Sequence, residues 1–226
     1  MCGRYSQTTD LENFVAKLNI SGSKVSKLIP RYNIAPSQEA AVIIQEKDEQ
    51  PSIEMLKWGL VPSWAKDPAI GNRMINARAE TLTTKPSFRS PLRKQRCLIP
   101  ASGFYEWNKQ GRAKTPYYIR LKSGQPFAFA GLWSHWHAPD GSELRSFTII
   151  TTDANDLIRS IHARMPVILR EDTEKLWLDP AQDISKDCIS LLVPYPSDKL
   201  EAYPVSTLVN APANDRPECI EPVQSP

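Results

Sequence analysis

Residues 117–133, YYIRLKSGQPFAFAGLW, carry the clearest structural signal in this sequence. Two runs of aromatic and aliphatic residues, 117–121 and 127–133, flank the polar segment 122–125. Apolar runs of this length, bounded by turn residues, are typical of β-strands. A short glycine-containing connection between two such runs predicts a β-hairpin and therefore an antiparallel sheet.

Similar runs on both sides of this stretch extend the predicted sheet. They are short, apolar or aromatic, and separated by turn-forming residues. The chain has 20 prolines and 9 glycines, a balance that favours loops and edge strands over long helices. The further predicted strands are residues 40–45, 53–58, 97–99, 104–107 and 146–151.

Four segments are predicted to be helices. The first, residues 9–18, opens with a capping-box pattern and continues with apolar residues at helical spacing. The other three are residues 153–161, with Asp153 near the N-cap, residues 171–178 and residues 184–192.

Together these elements predict one α+β domain over residues 1–226, in which a mostly antiparallel sheet curls towards a barrel and helices lie at its periphery. The sequence shows no internal repeat and no linker. The core is expected to span about residues 2–223, and the proline-rich segment 212–226 is expected to be an extended tail.

The cysteines predict free thiols rather than a disulfide framework. None belongs to a Cys-x-x-Cys pair, and the closely spaced His135 and His137 do not complete a zinc-binding pattern. We therefore expect no metal and no cofactor, and reduced thiols in the cytoplasm. The cysteines are Cys2, Cys97, Cys188 and Cys219.

The sequence gives no sign of a membrane segment. Its longest apolar runs, such as residues 40–44 and 127–133, are far too short to span a bilayer, and the N-terminus lacks the apolar region of a signal peptide. Cys2 is therefore not expected to be an acylated lipoprotein cysteine. Since no pattern suggests an obligate interface, we expect a monomer.

A locally basic stretch lies between Glu80 and Glu106, although the net charge of the chain is only +3. Such a stretch is typical of a surface that contacts phosphates. It is equally typical of a solvated protein face, and charge alone does not separate the two interpretations. The basic residues are Lys85, Arg89, Arg93, Lys94 and Arg96.

The first residues, MCGRY, place a cysteine at position 2. An initiator methionine is normally removed when the next residue is small, so the mature chain would begin with Cys2. Its α-amine (pKa ~8) and thiol (pKa ~8.5) would then form a 1,2-aminothiol with a nucleophilic fraction at neutral pH. This pair can condense with an aldehyde to a thiazolidine ring. The alternative is an unremarkable cysteine at a frayed terminus.

The alternating segment MINARAE, residues 74–80, places three polar side chains on one face of a predicted strand: Asn76, Arg78 and Glu80. Such a face suits a polar, anionic ligand, and asparagine in a strand calls for a reason. The alternative is an exposed strand face.

Two residues are candidates for proton transfer. Glu106 stands among aromatic residues in GFYEW, where desolvation would raise its pKa, although a salt bridge to an arginine is the alternative. His162 follows a predicted helix and titrates near neutral pH, although a lone histidine is more often structural.

The segment WGLVPSW, residues 58–64, brings two tryptophans to a Gly/Pro turn. Indole rings in a loop either fill the core or stack on bases. We expect one of Trp58 and Trp64 to be buried and the other exposed.

Taken together, these motifs resemble those of the SRAP family of abasic-site processing proteins, in order and from residue 2 to about residue 223. The closing stretch NAPAND, residues 210–215, departs from the family's usual asparagine-rich version. The motifs that carry the resemblance are CGRY (2–5), RYNIAP (31–36), WGLVPSW (58–64), NARAE (76–80), GFYEW (103–107) and IHARMP (161–166).

The resemblance implies an SRAP-like fold and covalent capture of abasic sites in single-stranded DNA. The Cys2 amine would attack the sugar aldehyde to form a Schiff base, and the thiol would close a thiazolidine. Asn76 would orient the opened sugar, while Glu106 and His162 would transfer protons. The resemblance also implies weak lyase activity, removal of Met1 by the protein itself, and association with the nucleoid when DNA is damaged.

By the same resemblance, Arg4 and Arg78 would hold the phosphates that bracket the lesion. Trp58 and Trp64 would form a wedge or stacking surface beside it. Contacts of this kind predict binding that is indifferent to base sequence and weakened by salt.

Two other classes of function remain open. An N-terminal nucleophile hydrolase also uses a terminal cysteine, with its own α-amine as base, but it turns over, whereas a cross-linking protein is consumed. A single-stranded-DNA-binding module would need no covalent step and would tolerate loss of the Cys2 thiol.

Overall fold

The computed structural model describes residues 2–8, 20, 22–23, 29–110, 113–182 and 186–223. Each apolar run predicted as a strand forms one, with bounds shifted by a few residues. The helix predicted for residues 9–18 lies outside the described residues. The strands are β1 (Tyr5–Gln7), β2 (Gly22–Ser23), β3 (Arg31–Ile34), β4 (Glu39–Ile44), β5 (Ser52–Trp58), β6 (Asn76–Arg78), β7 (Arg96–Ala101), β8 (Gly103–Gln110), β9 (Ala113–Leu121), β10 (Phe127–His137), β11 (Glu143–Asp153), β12 (Arg164–Pro166) and β13 (Leu200–Pro204).

The described helices are short. None of them is both long and apolar enough to cross a membrane. The α-helices are α1 (Pro86–Lys94), α2 (Asp156–Arg159), α3 (Glu174–Leu178) and α4 (Lys186–Ser190), and the 3-10 helices are Pro68–Arg73, Ala79–Thr81, Glu171–Thr173, Ser197–Lys199, Thr207–Asn210 and Pro217–Cys219.

The strands form two sheets that together confirm the predicted α+β, barrel-like architecture. The first is antiparallel, in the order β13-β9-β8-β1-β3. The second has the order β12-β11-β10-β7-β4-β5-β2, with β6 also paired to β11. A parallel pairing of β5 with β11, through Trp58 and Phe147, closes five of these strands into a barrel.

The hairpin predicted for residues 117–133 is wrong, although both of its strands exist. β9 pairs with β8 and β13 in the first sheet, whereas β10 pairs with β7 and β11 in the second. The turn at Gly124, where φ is +71°, therefore carries the chain from one sheet to the other. Turn residues specify a change of direction but not the partner of the next strand, which packing of the apolar faces decides.

The helix boundaries also differ from prediction. Asp153 still belongs to β11, where it pairs with Arg164, and Asn155 caps α2 by accepting the Ile158 N–H at 3.0 Å. Helix α1 was not predicted, and it forms although it contains Pro91, a residue type that usually interrupts a helix. The segments predicted as helices at 171–178 and 184–192 contain α3, preceded by a 3-10 turn, and α4.

The segment after residue 211 is not an extended tail as far as residue 223. Asp215 accepts hydrogen bonds from the backbone N–H groups of Tyr32 and Asn33 and forms an ion pair with Arg31. Val205 and Pro222 form an isolated β-bridge. These contacts dock the segment on the outer strand β3 and supply hydrogen-bond partners that proline content alone did not reveal.

Strand β1 belongs to the first sheet and packs against the second. Its Tyr5 ring makes edge contacts with Trp58 at 5.2 Å and with Phe129 at 5.8 Å between ring centroids, and all three side chains are buried. Because β3 and β8 flank β1 on either side, residues 5–7 are fixed in the fold. The residues just before β1 are thereby held at the junction of the sheets.

Candidate active site at the N-terminus

Cys2 lies three residues before the start of β1, in the core at the junction of the sheets, and none of its side chain is exposed. Its Sγ lies 3.7 Å from the carbonyl oxygen of Arg4. The Arg4 carbonyl also accepts the Tyr105 N–H at 3.0 Å, which continues the β1–β8 ladder towards Cys2. A frayed terminus is therefore excluded for residues 2–8.

Asn76 contacts Cys2 directly. Its Nδ2 donates to the Cys2 carbonyl oxygen at 2.8 Å. The parallel pairing of β6 with β11, which sets Asn76 opposite Ile149, fixes the strand that carries this amide. The Oδ1 atom of Asn76 is buried without a hydrogen-bond partner in the described part of the chain, so the amide has one further acceptor to offer.

Glu106 is buried on β8, with 3% of its surface exposed. Desolvation raises the pKa of its carboxyl above the ordinary value, and the nearby imidazole of His162 opposes this effect. The salt bridge to an arginine that the sequence left open is not what shifts this group. The raised pKa makes the neutral, proton-donating form of this carboxyl more available than that of an exposed glutamate.

His162 follows α2, and its backbone N–H donates to the Ile158 carbonyl at 2.8 Å. Its Nδ1 lies 3.0 Å from the backbone nitrogen of Arg164 and 3.2 Å from the carbonyl oxygen of the same residue, so either tautomer of the imidazole can form a backbone hydrogen bond here.

The thiol of Cys2 is less acidic than an ordinary cysteine. Burial raises its pKa, and the adjacent Glu106 carboxyl raises it further. The ordinary value used in the sequence analysis therefore does not apply to the described chain. The electrostatic influence of Glu106 on Cys2, and of His162 on Glu106, shows that the fold gathers the predicted catalytic side chains in one neighbourhood with Asn76.

Arg4 is half-buried and engaged by the protein. Its Nη1 donates to Asn33 Oδ1 at 2.8 Å and to the carbonyl of Val209, and its Nη2 donates to the Asn210 carbonyl at 3.2 Å. Burial lowers its pKa from the ordinary value. Since a guanidinium has five N–H donors, a phosphate would share Arg4 with these acceptors.

The three polar residues predicted on one strand face are not all on the strand. Asn76 and Arg78 belong to β6, and Arg78 is exposed. Glu80 lies in the following 3-10 helix, where its carboxylate accepts two hydrogen bonds from Arg164, at 2.8 and 3.0 Å. Glu80 therefore holds a cation of its own chain rather than extending the predicted binding face.

The two tryptophans differ as expected, one buried and one exposed. Trp58 is 1% exposed, stacks on Phe147 and donates its indole N–H to the Ile75 carbonyl at 2.8 Å. The ring of Trp58 is covered by the core, and its contact with DNA stays a prediction. Trp64 is 58% exposed in its loop and keeps a face available.

The basic stretch is divided by the fold. Lys85, Arg89, Arg93 and Lys94 are exposed at and along α1. Arg96 is 2% exposed and donates to the backbone carbonyls of Leu92, Trp177 and Asp179. Arg96 is a buried structural cation and is not available to a phosphate.

Sequence reasoning did not assign a role to Asn33, which organises the surroundings of Arg4. Besides accepting from Arg4, Asn33 donates from Nδ2 to the carbonyls of residues 209, 211 and 214, at 3.2, 3.1 and 2.8 Å. It is completely buried in β3. The signal was present, since a strand asparagine between apolar residues was the reason for selecting Asn76.

The segment that these bonds hold, residues 209–214, overlaps the stretch 210–215 that departs from the family pattern. Its contacts with Arg4 and Asn33 run through backbone carbonyls, which any side chain at those positions can supply. The departure therefore leaves the support of Arg4 intact.

Comparison with known proteins identifies the family. A family model described as SOS response associated peptidase (SRAP) matches residues 1–212. The abasic site processing protein YoqW of Bacillus subtilis (strain 168) is 48% identical, over 98% of this chain and 99% of the relative. The abasic site processing protein HMCES of Gallus gallus is 34% identical, over 86% of this chain and 67% of the relative.

A solved structure has a similar fold. The X-ray structure of a protein from Bacteroides thetaiotaomicron superposes with a TM-score of 0.88 at 31% identity, over 99% of this chain and all of the other. The resemblance seen in the sequence motifs is thereby confirmed, and the chain belongs to the SRAP family.

Proposed function

We propose that this protein processes abasic sites in DNA by capturing them covalently in single-stranded DNA. The relatives YoqW and HMCES, which are named abasic site processing proteins, support the lesion as the substrate. The observation that carries the chemical part is the convergence of Cys2, Asn76, Glu106 and His162 at the junction of the sheets.

The proposed reaction begins when removal of Met1 turns the backbone nitrogen of Cys2 into a free amine. This amine adds to the C1′ aldehyde of the ring-opened sugar, and loss of one water gives a Schiff base. The thiol then adds to the same carbon while its proton passes to the imine nitrogen. The product is a thiazolidine that joins Cys2 to the DNA, and water is the only by-product.

The three neighbouring side chains would orient the sugar and transfer protons in this reaction. Asn76 holds the Cys2 carbonyl and leaves its buried Oδ1 for a hydroxyl of the opened sugar. Glu106 has a raised pKa that suits it to protonating the hydroxyl group that then leaves as water. His162 is partly exposed and can relay protons between the aldehyde oxygen and solvent.

Processing of Met1 would also activate the thiol. In the described chain, burial raises the pKa of the Cys2 thiol and keeps it protonated. A positively charged α-ammonium group next to it would stabilise the thiolate and lower that pKa. The chain would therefore stay unreactive until its terminus is freed.

Arg78 and the partly engaged Arg4 would hold phosphates beside the lesion, and Trp64 would stack on a neighbouring base. A Schiff base at C1′ also acidifies the C2′ proton, so slow strand cleavage by β-elimination is expected beside capture. The protein would be consumed by thiazolidine formation and would not turn over.

A denaturing gel tests the proposal. Protein whose mass confirms a free Cys2 is incubated with a single strand that carries one abasic site, or with the same strand left intact. We expect a heat- and detergent-stable slow band with the abasic strand alone. No band from correctly processed protein would overturn covalent capture.

Two variants make this test specific. Cys2→Ser should lose the stable band and keep noncovalent binding, because an oxazolidine is hydrolysed more readily than a thiazolidine. Cys188→Ala, which changes a buried cysteine in a separate part of the core, should behave like the wild type. A full-strength stable band from Cys2→Ser would rule out the thiazolidine.

The family description supports a second candidate activity, peptidase action on Met1. Protein synthesised in vitro with methionine aminopeptidase inhibited should then lose Met1 with time, as measured by mass spectrometry. Cys2→Ala should retain Met1 under the same conditions. Equal retention of Met1 by both proteins would show that cellular enzymes perform this step.

A further inference from the structure

The β10–β11 hairpin carries a cluster of potential ligands far along the chain from the N-terminal site. His135 and His137 are two residues apart on β10 and therefore point to the same face. Glu143, the first residue of β11, lies opposite His137 in register. The three side chains thus share one face at the end of the hairpin.

The potential ligand atoms of this cluster lie close together. His135 Nε2 lies 3.0 Å from Glu143 Oε2, and His137 Nδ1 lies 3.1 Å from Glu143 Oε1. The two imidazole centroids are 4.2 Å apart, and one ligand atom from each residue fits within 4.8 Å of the others. We propose that His135, His137 and Glu143 bind a divalent transition-metal ion.

The donor set selects the class of metal. Two imidazole nitrogens and one carboxylate oxygen suit zinc, cobalt, nickel or copper(II), whereas magnesium and calcium prefer oxygen ligands alone. In a tetrahedral zinc site with bonds of about 2.0–2.1 Å, neighbouring ligand atoms are roughly 3.3 Å apart. The two nitrogen–oxygen distances of 3.0 and 3.1 Å are close to this separation.

The surroundings permit a cation. Arg145 lies opposite His135 in register, but its guanidinium forms ion pairs with Glu46 at 3.0 Å and Glu54 at 2.8 Å. The positive charge of Arg145 is therefore compensated by these two carboxylates. The side chains of His135, His137 and Glu143 are 24, 60 and 57% exposed, so a metal can enter from solvent and keep water at the open positions.

Metal binding here would brace the loop that carries Trp64. Trp136 lies between the two histidines on β10 and points to the opposite face, where its indole N–H donates to the Ala65 carbonyl at 2.7 Å. Val61 and Ala65 pack against the same indole. A metal that fixes the end of the hairpin would thus restrain residues 61–65.

Titration of untagged, full-length protein with zinc chloride tests the site by calorimetry, with cobalt absorption as a second probe. We expect one zinc per chain, a higher melting temperature with zinc, and a cobalt spectrum without a thiolate charge-transfer band. His137→Ala and Glu143→Gln should each weaken zinc binding by more than the roughly 10–100-fold that loss of a supporting residue costs.

The chain offers a matched control in His162→Ala, which removes its third histidine and should bind zinc like the wild type. Both ligand variants change exposed side chains, and their melting temperatures without metal verify that they fold. Absence of zinc binding, equal binding by the ligand variants, or a thiolate band that moves the metal to a cysteine would each overturn the proposal.

Discussion

The side-chain amide of Asn76 donates a hydrogen bond of 2.8 Å to the carbonyl oxygen of Cys2. This bond joins β6, which pairs with β11 in the second sheet, to Cys2, which lies three residues before β1 of the first sheet. The carbon of this carbonyl is bonded to the α-carbon of Cys2, which carries the side chain with the thiol. The contact therefore fixes the orientation of the proposed nucleophile relative to the sheet junction.

Loss of this contact should slow capture more than it destabilises the protein. Asn76→Ala removes one hydrogen bond, which contributes about 0.5–1.5 kcal/mol to the free energy of unfolding. Misplacement of the reacting groups should lower the single-turnover rate of adduct formation by up to about 100-fold. Rapid-quench gels measure this rate. Asn108→Ala, at a half-buried asparagine of β8, is the control, and equal rates for both variants would contradict the positioning role.

A blocked terminus should abolish cross-linking. An uncleavable extension before Cys2 keeps its nitrogen as an amide, which cannot form a Schiff base. The folded core should survive, because residues 5–7 are held by β3 and β8. Adduct yield on a denaturing gel, with intact mass verified beforehand, measures the effect. Wild-type yield from the verified extended chain would show that the α-amine takes no part.

Glu106→Gln should slow capture by about 100-fold or more, which is the usual contribution of a positioned proton donor. The pH dependence should report the same group. Fewer neutral carboxyls are available as pH rises through the raised pKa of Glu106, so the wild-type rate should fall there. The variant should lose this dependence. A pH–rate profile that Glu106→Gln leaves unaltered would exclude Glu106 as the proton donor.

Glu106→Gln should slow capture but raise the stability of the folded protein, by an amount that depends on pH. Because burial raises the folded-state pKa of Glu106 above its ordinary 4.5, the folded protein binds the proton more tightly than the unfolded chain. The free energy of unfolding therefore falls as pH rises from the unfolded towards the folded pKa. Relative to the wild type, Glu106→Gln should gain stability over that interval. Denaturant titrations at several pH values measure this difference.

The two tryptophans should separate stability from DNA binding. Trp58→Ala removes a buried ring from the core and should cost about 3–5 kcal/mol of unfolding free energy. Trp64→Ala removes an exposed ring and should leave stability nearly unchanged while weakening single-stranded DNA binding by about 1–3 kcal/mol. Thermal melts and fluorescence anisotropy measure the two effects. Unchanged DNA affinity of Trp64→Ala would remove its stacking role.

The sequence predicted individual strands better than their partners. Period and composition identified the runs at 117–121 and 127–133, yet the chain between them crosses from one sheet to the other. Local turn chemistry contains no information on that choice, which depends on how Tyr5, Trp58 and Phe129 pack between the sheets. Likewise, helix α1 forms although it contains Pro91, and its buried residues Phe88 and Leu92 pack in the core.

For the candidate site, residue type and local surroundings were enough to select Asn76, Glu106 and His162, which the fold brings to Cys2. They could not reveal which polar groups find partners elsewhere in the chain. The burial of Arg96 under backbone carbonyls depends on contacts with residues more than 80 positions away. A short stretch of sequence contains no pattern that predicts contacts of a charged residue with such distant partners.

Arg164 is another cation whose partner, Glu80, lies 84 positions away in the chain. Its guanidinium donates to both oxygens of Glu80, to Asp153 at 2.7 Å and to the Thr151 carbonyl at 2.8 Å, and only 14% of the side chain is exposed. It thereby ties β12, which follows His162, to β11 and to the 3-10 helix after β6. Arg164→Ala should lower the free energy of unfolding by about 1–3 kcal/mol, because partly buried acceptors lose their donor.

The pH dependence distinguishes this network from simple loss of side-chain packing. Hydrogen bonds from Arg164 lower the folded-state pKa of Glu80 below its ordinary 4.5, so the pair stabilises the folded protein above pH 4.5. That contribution is lost as pH falls through the lower, folded pKa. The stability difference between the wild type and Glu80→Gln should therefore shrink with acidification, and Arg164→Ala should remove it. A difference that persists at acid pH would mean that Glu80 acts through packing and not through its charge.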